Sequence, residues 1–205
     1  MNVKQAEKMI RSIANAISKN KEWLTKLDVA IGDGDHGINL ALGFEKAKRR
    51  LGEHGLPSEV FKDAAMALMS VGGGSSGPIF GSFFVKMAMR FRNAEEISPE
   101  LFAEAFSDGV NGVATLGKAA AGDKTMLDAL APACEAYKTA VSEKSDMVYA
   151  LTKALEAAKQ GAEDTIPLIA KKGRAGFLGK KTKGHKDPGA ASAALIIEAM
   201  LESFL

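Results

Sequence analysis

A single cysteine, Cys134, stands in the whole chain, so no internal disulfide can form. Its apolar, helix-spaced surroundings read as those of a buried thiol in a cytosolic protein. No apolar run reaches the ~18 residues that a membrane-spanning helix needs. The first residues, Met1-Asn2-Val3-Lys4-Gln5-Ala6-Glu7, have none of the marks of a signal peptide. Net charge is only +2, from 27 basic and 25 acidic side chains, too little for general nucleic-acid binding. Period-two alternation and hairpin signals are also missing, which argues against strands. These absences point to a cytoplasmic, all-α protein with no membrane or nucleic-acid partner. The 205 residues, 46% apolar and 25% charged, suit one domain, 1–205, with a sizeable core.

What is present is concentrated between Leu27 and Leu40. Three carboxylates (Asp28, Asp33, Asp35), His36, Asn39 and three glycines fill one short turn there. Neighbouring carboxylates disfavour one another's ionisation, so such a cluster is best explained by a cation among them. Oxygen-only ligands suit Mg²⁺ or Ca²⁺ rather than Zn²⁺. Gly32-Asp33-Gly34-Asp35-His36-Gly37 matches a dinucleotide fingerprint letter for letter, but no strand precedes it and two carboxylates would face a bare pyrophosphate. An EF-hand loop fails as well, with Ile38 at the glycine position and Phe44 at the glutamate position. A solvated, Asp-rich helix start is the bland alternative, and three carboxylates around one turn weigh against it.

Apolar spacing predicts helices along the whole chain. The first covers Val3 to Ile17, its apolar face extended by Trp23, Leu24 and Leu27. The second runs from about Gly37 to Leu51 and the third from Pro57 to Met69. The fourth runs from Ile79 to about Phe91, with Pro78 at its first position. Ser98-Pro99 starts a fifth that Gly117 ends. The sixth starts at Gly122-Asp123-Lys124-Thr125 and carries Met126, Leu127, Leu130 and Tyr137 on one face. The seventh spans about 145–171, with a possible break before Pro167, and the eighth Ala190 to Phe204. His54, beside Glu53 in the turn 52–55, reads as an exposed surface residue. About eight helices with short connections make an all-α bundle.

The connections carry the remaining polar signals. Gly72-Gly73-Gly74-Ser75-Ser76-Gly77 ahead of a helix is either a linker or a phosphate-binding nest, and the flanking helical patterns favour the nest. Gly112 to Ala119 nearly spells a P-loop, but Ala119 replaces the metal-binding hydroxyl and a helix precedes it. Asp123 and Thr125 read most simply as N-caps. Lys171 to Lys186 holds seven basic residues and no acid without helical spacing, a loop able to fold cations over a polyanion. Arg174 is its best phosphate clamp. Gathered at one rim, these loops supply the parts needed to bind a nucleotide polyphosphate through Mg²⁺.

The order and spacing of four motifs resemble the nucleotide-binding L subunit of dihydroxyacetone kinases, over essentially the whole chain. They are Leu27-Asp28 with Ile31 to Gly37; Gly73 to Pro78; Gly122-Asp123-Lys124-Thr125-Met126; and Gly173-Arg174-Ala175 with Gly184 to Gly189. The resemblance implies a barrel of eight antiparallel helices with ADP or ATP and two Mg²⁺ at one end. It implies that Asp28, Asp33 and Asp35 hold both ions and, with Arg174, carry the chemistry. His36, Gly37, Ile38, Asn39, Ser75 and Ser76 would contact the phosphate side. Gly117, Thr125, Met126, Arg174, Asp187, Pro188 and Gly189 would hold the nucleotide. It also implies a dihydroxyacetone-binding K subunit as partner, and a phosphotransferase-system M subunit that rephosphorylates a resident ADP. A homodimer is left open.

Two stretches depart from the family pattern. The Gly/Ser loop is one residue longer than the usual Gly-Gly-Ala-Ser-Gly-Pro. Residues 176–182 read Gly-Phe-Leu-Gly-Lys-Lys-Thr, where split-system members commonly have Ser-Tyr-Leu-Gly-Glu-Arg-Ser. Two other readings stay open: an ATP-dependent kinase module of the same fold acting on another hydroxyketone or a partner-carried acyl group, and a non-enzymatic binder.

Overall fold

The computed structural model describes residues 1–205 except Glu53 and Ser145. Among the described residues there are nine α-helices, one 3₁₀ segment and no strand. In chain order they are α1 (Val3–Lys19), α2 (Lys21–Ile31), α3 (His36–Lys48), α4 (Pro57–Met69), α5 (Ser76–Arg90), α6 (Pro99–Gly117), α7 (Leu127–Ser142), α8 (Met147–Asp164), the 3₁₀ segment (Ala175–Thr182) and α9 (Pro188–Glu202). Eight of them close a ring: α3, α4, α5, α6, α7, α8 and α9 each pack on the next, and α1 packs on both α9 and α3. The short α2 is the ninth, lying against α3, α9 and the 3₁₀ segment.

Local chemistry sets most helix starts. Asn2 and Gln5 form a reciprocal capping box, Asn2 Oδ1 accepting from Gln5 N at 3.0 Å. Ser98 caps α6 and Asp146 caps α8 through their side-chain oxygens. The expected first helix is divided at Asn20, whose side-chain amide donates to Ala16 O at 2.8 Å. The helix expected from Ile79 begins earlier, at Ser76, so Pro78 is its third residue instead of its first. That costs no hydrogen bond, because the first turn's N–H groups have no intrahelical partner. The helix expected over 145–171 stops at Asp164, before the residue next to Pro167 (Ser145 lies outside the described residues). Nor is His54 a surface residue: its side chain is 8% exposed, with Nδ1 at 2.9 Å from Glu7 Oε1 and Nε2 at 3.5 Å from Asp63 Oδ2.

Inside the ring lies one core. Phe44, Phe61, Phe83, Phe84, Phe91, Phe102, Phe106 and Tyr137 form a chain of edge-to-face and tilted ring pairs, from 5.0 to 6.3 Å between centroids. Alanine-rich α8 and α9 pack closely on the other side. No helix among the described residues is long and apolar enough to cross a membrane.

Candidate nucleotide and metal site

Alternation around the ring puts the starts of α3, α5, α7 and α9 at one end of the molecule. All four starts line a single cavity of about 450 Å³. A helix start presents unpaired N–H groups and the positive end of its dipole. Four of them opening on one cavity make it attractive to an anion before any side chain is counted.

Against that background stand the three carboxylates of the α2–α3 loop. Asp28, on the last turn of α2, is 8% exposed. Its Oδ2 accepts from Asp35 N at 3.0 Å and from His36 N at 3.1 Å, which folds the loop back on itself. Asp28, Asp33 and Asp35 each offer an oxygen, and the three oxygens lie within 4.8 Å of one another. Burial and the charges of Asp33 and Asp28 push the Asp35 carboxyl above its ordinary value. Arg174 forms an ion pair with Asp33 from across the cavity mouth. A compact set of oxygen donors repelling one another fits a divalent hard cation, and Mg²⁺ suits it.

Beside the carboxylates lies the Gly/Ser turn. Asn39 Nδ2 donates to Gly73 O at 3.1 Å, tying the turn to α3. Gly73 and Gly74 have φ of 89° and 68°, and a Cβ on Gly74 would lie 3.2 Å from Asp35 Oδ1. Only glycine gives this backbone both the left-handed conformation and the close approach. Ser76, in the first turn of α5, is 6% exposed, and its Oγ has no hydrogen-bond partner among the described residues. A buried hydroxyl without a partner on the wall of an anion-attracting cavity is a ready donor to a ligand oxygen.

The opposite wall is held by a buried lysine. Lys124 is 1% exposed and sits in the left-handed region at φ 62°. Its Nζ donates to Thr165 O at 2.7 Å and to His185 O. Burial holds its ammonium below the usual lysine value. Thr165 Oγ1 accepts from Asp187 N at 2.9 Å, so one clasp joins the 122–126 turn, the end of α8 and the start of α9. Asp187 caps α9, accepting from Ala190 N at 2.7 Å. Full burial pushes its carboxyl up to about 7, with the charge of Asp128 adding and Lys124 opposing. Of the caps expected at Asp123 and Thr125, that of Thr125 is formed and that of Asp123 is not, while the turn ahead of α7 is held by Asp128, whose carboxylate takes Gly122 N and, at 2.7 Å, Thr125 N. Asp123 instead closes its own turn on Ala120 N at 3.0 Å, and Thr125 Oγ1 accepts from Leu127 N at 3.2 Å.

Of the residues singled out in the sequence, Asp28, Asp33, Asp35, His36, Ser75, Ser76, Gly117, Thr125, Met126, Arg174, Asp187, Pro188 and Gly189 all line this cavity. Gly37, Ile38 and Asn39 stand outside its wall. Gly37 packs where a Cβ would lie 2.3 Å from Lys21 O, Ile38 is 51% exposed, and Asn39 holds Gly73. His36 lines the wall with its polar groups engaged: its N–H meets Asp28, and Nε2 lies 3.0 Å from Ser192 Oγ. The Ser192 hydroxyl donates to Gly189 O, so it accepts from His36, which places the imidazole proton on Nε2. Burial pushes His36 down to about 4, keeping it neutral. Ile79, Val113 and Leu116, which form an apolar flank, and Lys124 carry no mark of their place in this cavity in the sequence. Spacing carries no signal for a flank built from two different helices.

Comparison with known proteins points the same way. The family described as the DAK2 domain matches residues 30–202. The chain is 38% identical over 185 residues to the ADP-binding subunit DhaL of the PEP-dependent dihydroxyacetone kinase of Escherichia coli K12, covering 89% of this chain and 88% of that one. It is 37% identical over 199 residues to the ADP-binding subunit DhaL of PEP-dependent dihydroxyacetone kinase 2 of Listeria innocua, covering 95% and 92%. The crystal structure of the dihydroxyacetone kinase of C. freundii with AMP-PNP and Mg²⁺ superposes with a TM-score of 0.74 at 28% identity. That match covers 97% of this chain and 33% of the other, so the chain spans about a third of that kinase.

Proposed function

We propose a function from one premise: the chain belongs to the DAK2 domain family, whose match takes in residues 30–202. It is the nucleotide-binding subunit of a split dihydroxyacetone kinase, a single kinase domain that works in the cytoplasm. It holds ADP or ATP with two Mg²⁺ and passes a phosphoryl group to dihydroxyacetone carried on a separate K subunit. ADP stays bound and is rephosphorylated by a phosphotransferase-system M subunit. The observation that carries this reading is the oxygen-donor cluster of Asp28, Asp33 and Asp35 at a cavity onto which four helix starts open. The E. coli and Listeria relatives, named as ADP-binding subunits, support it, as does the AMP-PNP and Mg²⁺ complex of the C. freundii kinase.

In this reading each residue has a physical task. Asp28, Asp33 and Asp35 hold the ions, and Mg²⁺ bound there neutralises phosphate charge and orients the transferred group. Ser75, Ser76 and the first turn of α5 donate hydrogen bonds to phosphate oxygens. Gly37, Ile38 and Asn39 act through the first turn of α3, whose dipole faces the same anion. Arg174 releases Asp33 when the cations arrive and turns its guanidinium to the phosphates. Ile79, Leu116, Gly117 and Met126 flank the base, while Thr125 and Asp187 to Gly189 close the far wall. Phosphoryl transfer needs positioning and charge neutralisation more than a protein nucleophile, which fits a site with no triad.

Mixing the chain with K and M subunits tests the reading. Phosphoenolpyruvate should drive dihydroxyacetone phosphorylation, and omission of M should stop it. Denatured, desalted protein should release near-stoichiometric ADP. Turnover on free ATP without M selects the ATP-dependent kinase module instead.

A further inference from the structure

Charge in this chain is unevenly placed. Residues 171–186 carry seven basic side chains and no acid, so the rest of the chain, with 20 basic and 25 acidic residues, is net negative at −5. Three of the seven are engaged: Arg174 with Asp33, Lys171 with Asp123 and Lys186 with Glu163. Lys172, Lys180, Lys181 and Lys183 form no ion pair among the described residues. On the same segment Phe177 is 94% exposed and Leu178 40% exposed. Phe177 is the most exposed large apolar residue among those described.

The segment is a held platform. At one end the backbone holds it, Gly176 N donating to Lys172 O and Phe177 N to Arg174 O, each at 3.1 Å, whichever partner the Arg174 side chain takes. At the other, Thr182 is fully buried, its Oγ1 accepting from Ala170 N at 2.9 Å and donating to Gly179 O at 2.7 Å. Between them Gly179, at φ 53° and ψ −124°, turns the chain sharply after Phe177 and Leu178 and before Lys180 and Lys181. Gly173, Arg174 and Ala175 line the cavity, so the platform stands at its mouth.

We propose that residues 177–181 are the docking surface for a protein partner with an acidic face and an apolar recess that receives Phe177. The inference rests on the phosphotransfer reading, because it places a phosphoryl donor or acceptor subunit at the cavity mouth. An exposed aromatic on a segment that carries four cations without an ion pair among the described residues combines the anchor that dominates interface energy with the charge that steers encounter. Charge distribution favours a protein over a membrane or nucleic acid. An extended polyanionic surface also meets the net −5 of the remaining chain, whereas an acidic protein face the size of the platform does not.

Two variants of the full chain test this, Phe177→Ser and the double variant Lys180→Glu/Lys181→Glu, neither touching the cavity wall. Mg-ADP affinity by calorimetry should equal that of the unaltered chain. In phosphoryl transfer with purified K and M subunits, KM for one of them should rise about tenfold or more with kcat little changed. That KM should climb with salt for the unaltered chain and lose its salt dependence in the charge variant. If the unaltered chain binds no Mg-ADP, the functional reading falls and this inference with it. If it binds Mg-ADP and both variants keep the original KM for both subunits, the docking surface alone is overturned. The same holds if the charge variant loses only binding to phosphatidylglycerol vesicles or duplex DNA, or only self-association in sedimentation.

Discussion

Asp28 has two roles where its neighbours have one. Its Oδ2 is occupied by two backbone N–H groups that close the loop, whereas among the described residues Asp33 pairs with Arg174 alone. Asp33→Ala should therefore abolish Mg²⁺-dependent nucleotide retention with little change in the urea midpoint. Asp28→Ala should lose both retention and about 1–3 kcal/mol of stability, from the buried donors it strands. Asp187 gives a pH prediction. Its carboxyl titrates at about 7 in the fold against 3.8 ordinarily, so the folded state binds the proton more tightly. The stability it contributes is fully present below about pH 4 and is lost as pH rises through about 7. Comparing urea midpoints of nucleotide-free protein across that window, Asp187→Asn should remove up to about 4 kcal/mol of this pH dependence while keeping the cap on Ala190. The carboxylate cluster was legible in the sequence because acids crowded into one turn have few structural uses. Lys124 was not: a lysine in a turn reads as solvated, and its burial depends on carbonyls at 165 and 185 that spacing cannot bring near.

Helix limits show the same division between local and distant causes. The limits of α4 were readable because Pro57 and an uninterrupted apolar face settle them locally. The end of α8 was not, because the clasp that takes the Thr165 carbonyl comes from the 122–126 turn. Close helix contact carries the next prediction. A Cβ on Gly161 of α8 would lie 2.1 Å from Asp128 O and 3.0 Å from its carbonyl carbon on α7. Both are backbone atoms, so the helices must separate, and Asp128 is also the carboxylate that holds the 122–125 turn. Gly161→Ala should cost about 1–3 kcal/mol or more in chemical denaturation and weaken Mg-ADP binding as well. Tyr137 of α7 runs the other way. It is fully buried against Phe102 and Phe106, its hydroxyl has no partner among the described residues, and burial pushes its pKa well above the ordinary tyrosine value. Tyr137→Phe removes an unsatisfied buried group and should raise stability by about 1 kcal/mol.

At the scale of the molecule, the ring itself makes the site. Alternating helices place four N-termini at one end, and the anion-attracting cavity follows from topology before any side chain contributes. The sequence showed that polar loops lie at helix ends. It did not show that Gly37, Ile38 and Asn39 would fall outside the cavity wall, or that Ile79, Val113 and Leu116 would complete it, since both depend on how α3, α5 and α6 are rotated in the ring. The central claim is that three carboxylates make this cavity a Mg²⁺-dependent nucleotide site. Calorimetric titration of ADP into the protein, with and without Mg²⁺, for the unaltered chain and for Asp33→Ala, tests it most directly. Binding to the unaltered chain that requires Mg²⁺, and falls about 100-fold or more in Asp33→Ala, is the predicted result, a difference of about 3 kcal/mol. ADP binding of equal strength with and without Mg²⁺, or untouched by Asp33→Ala, contradicts it.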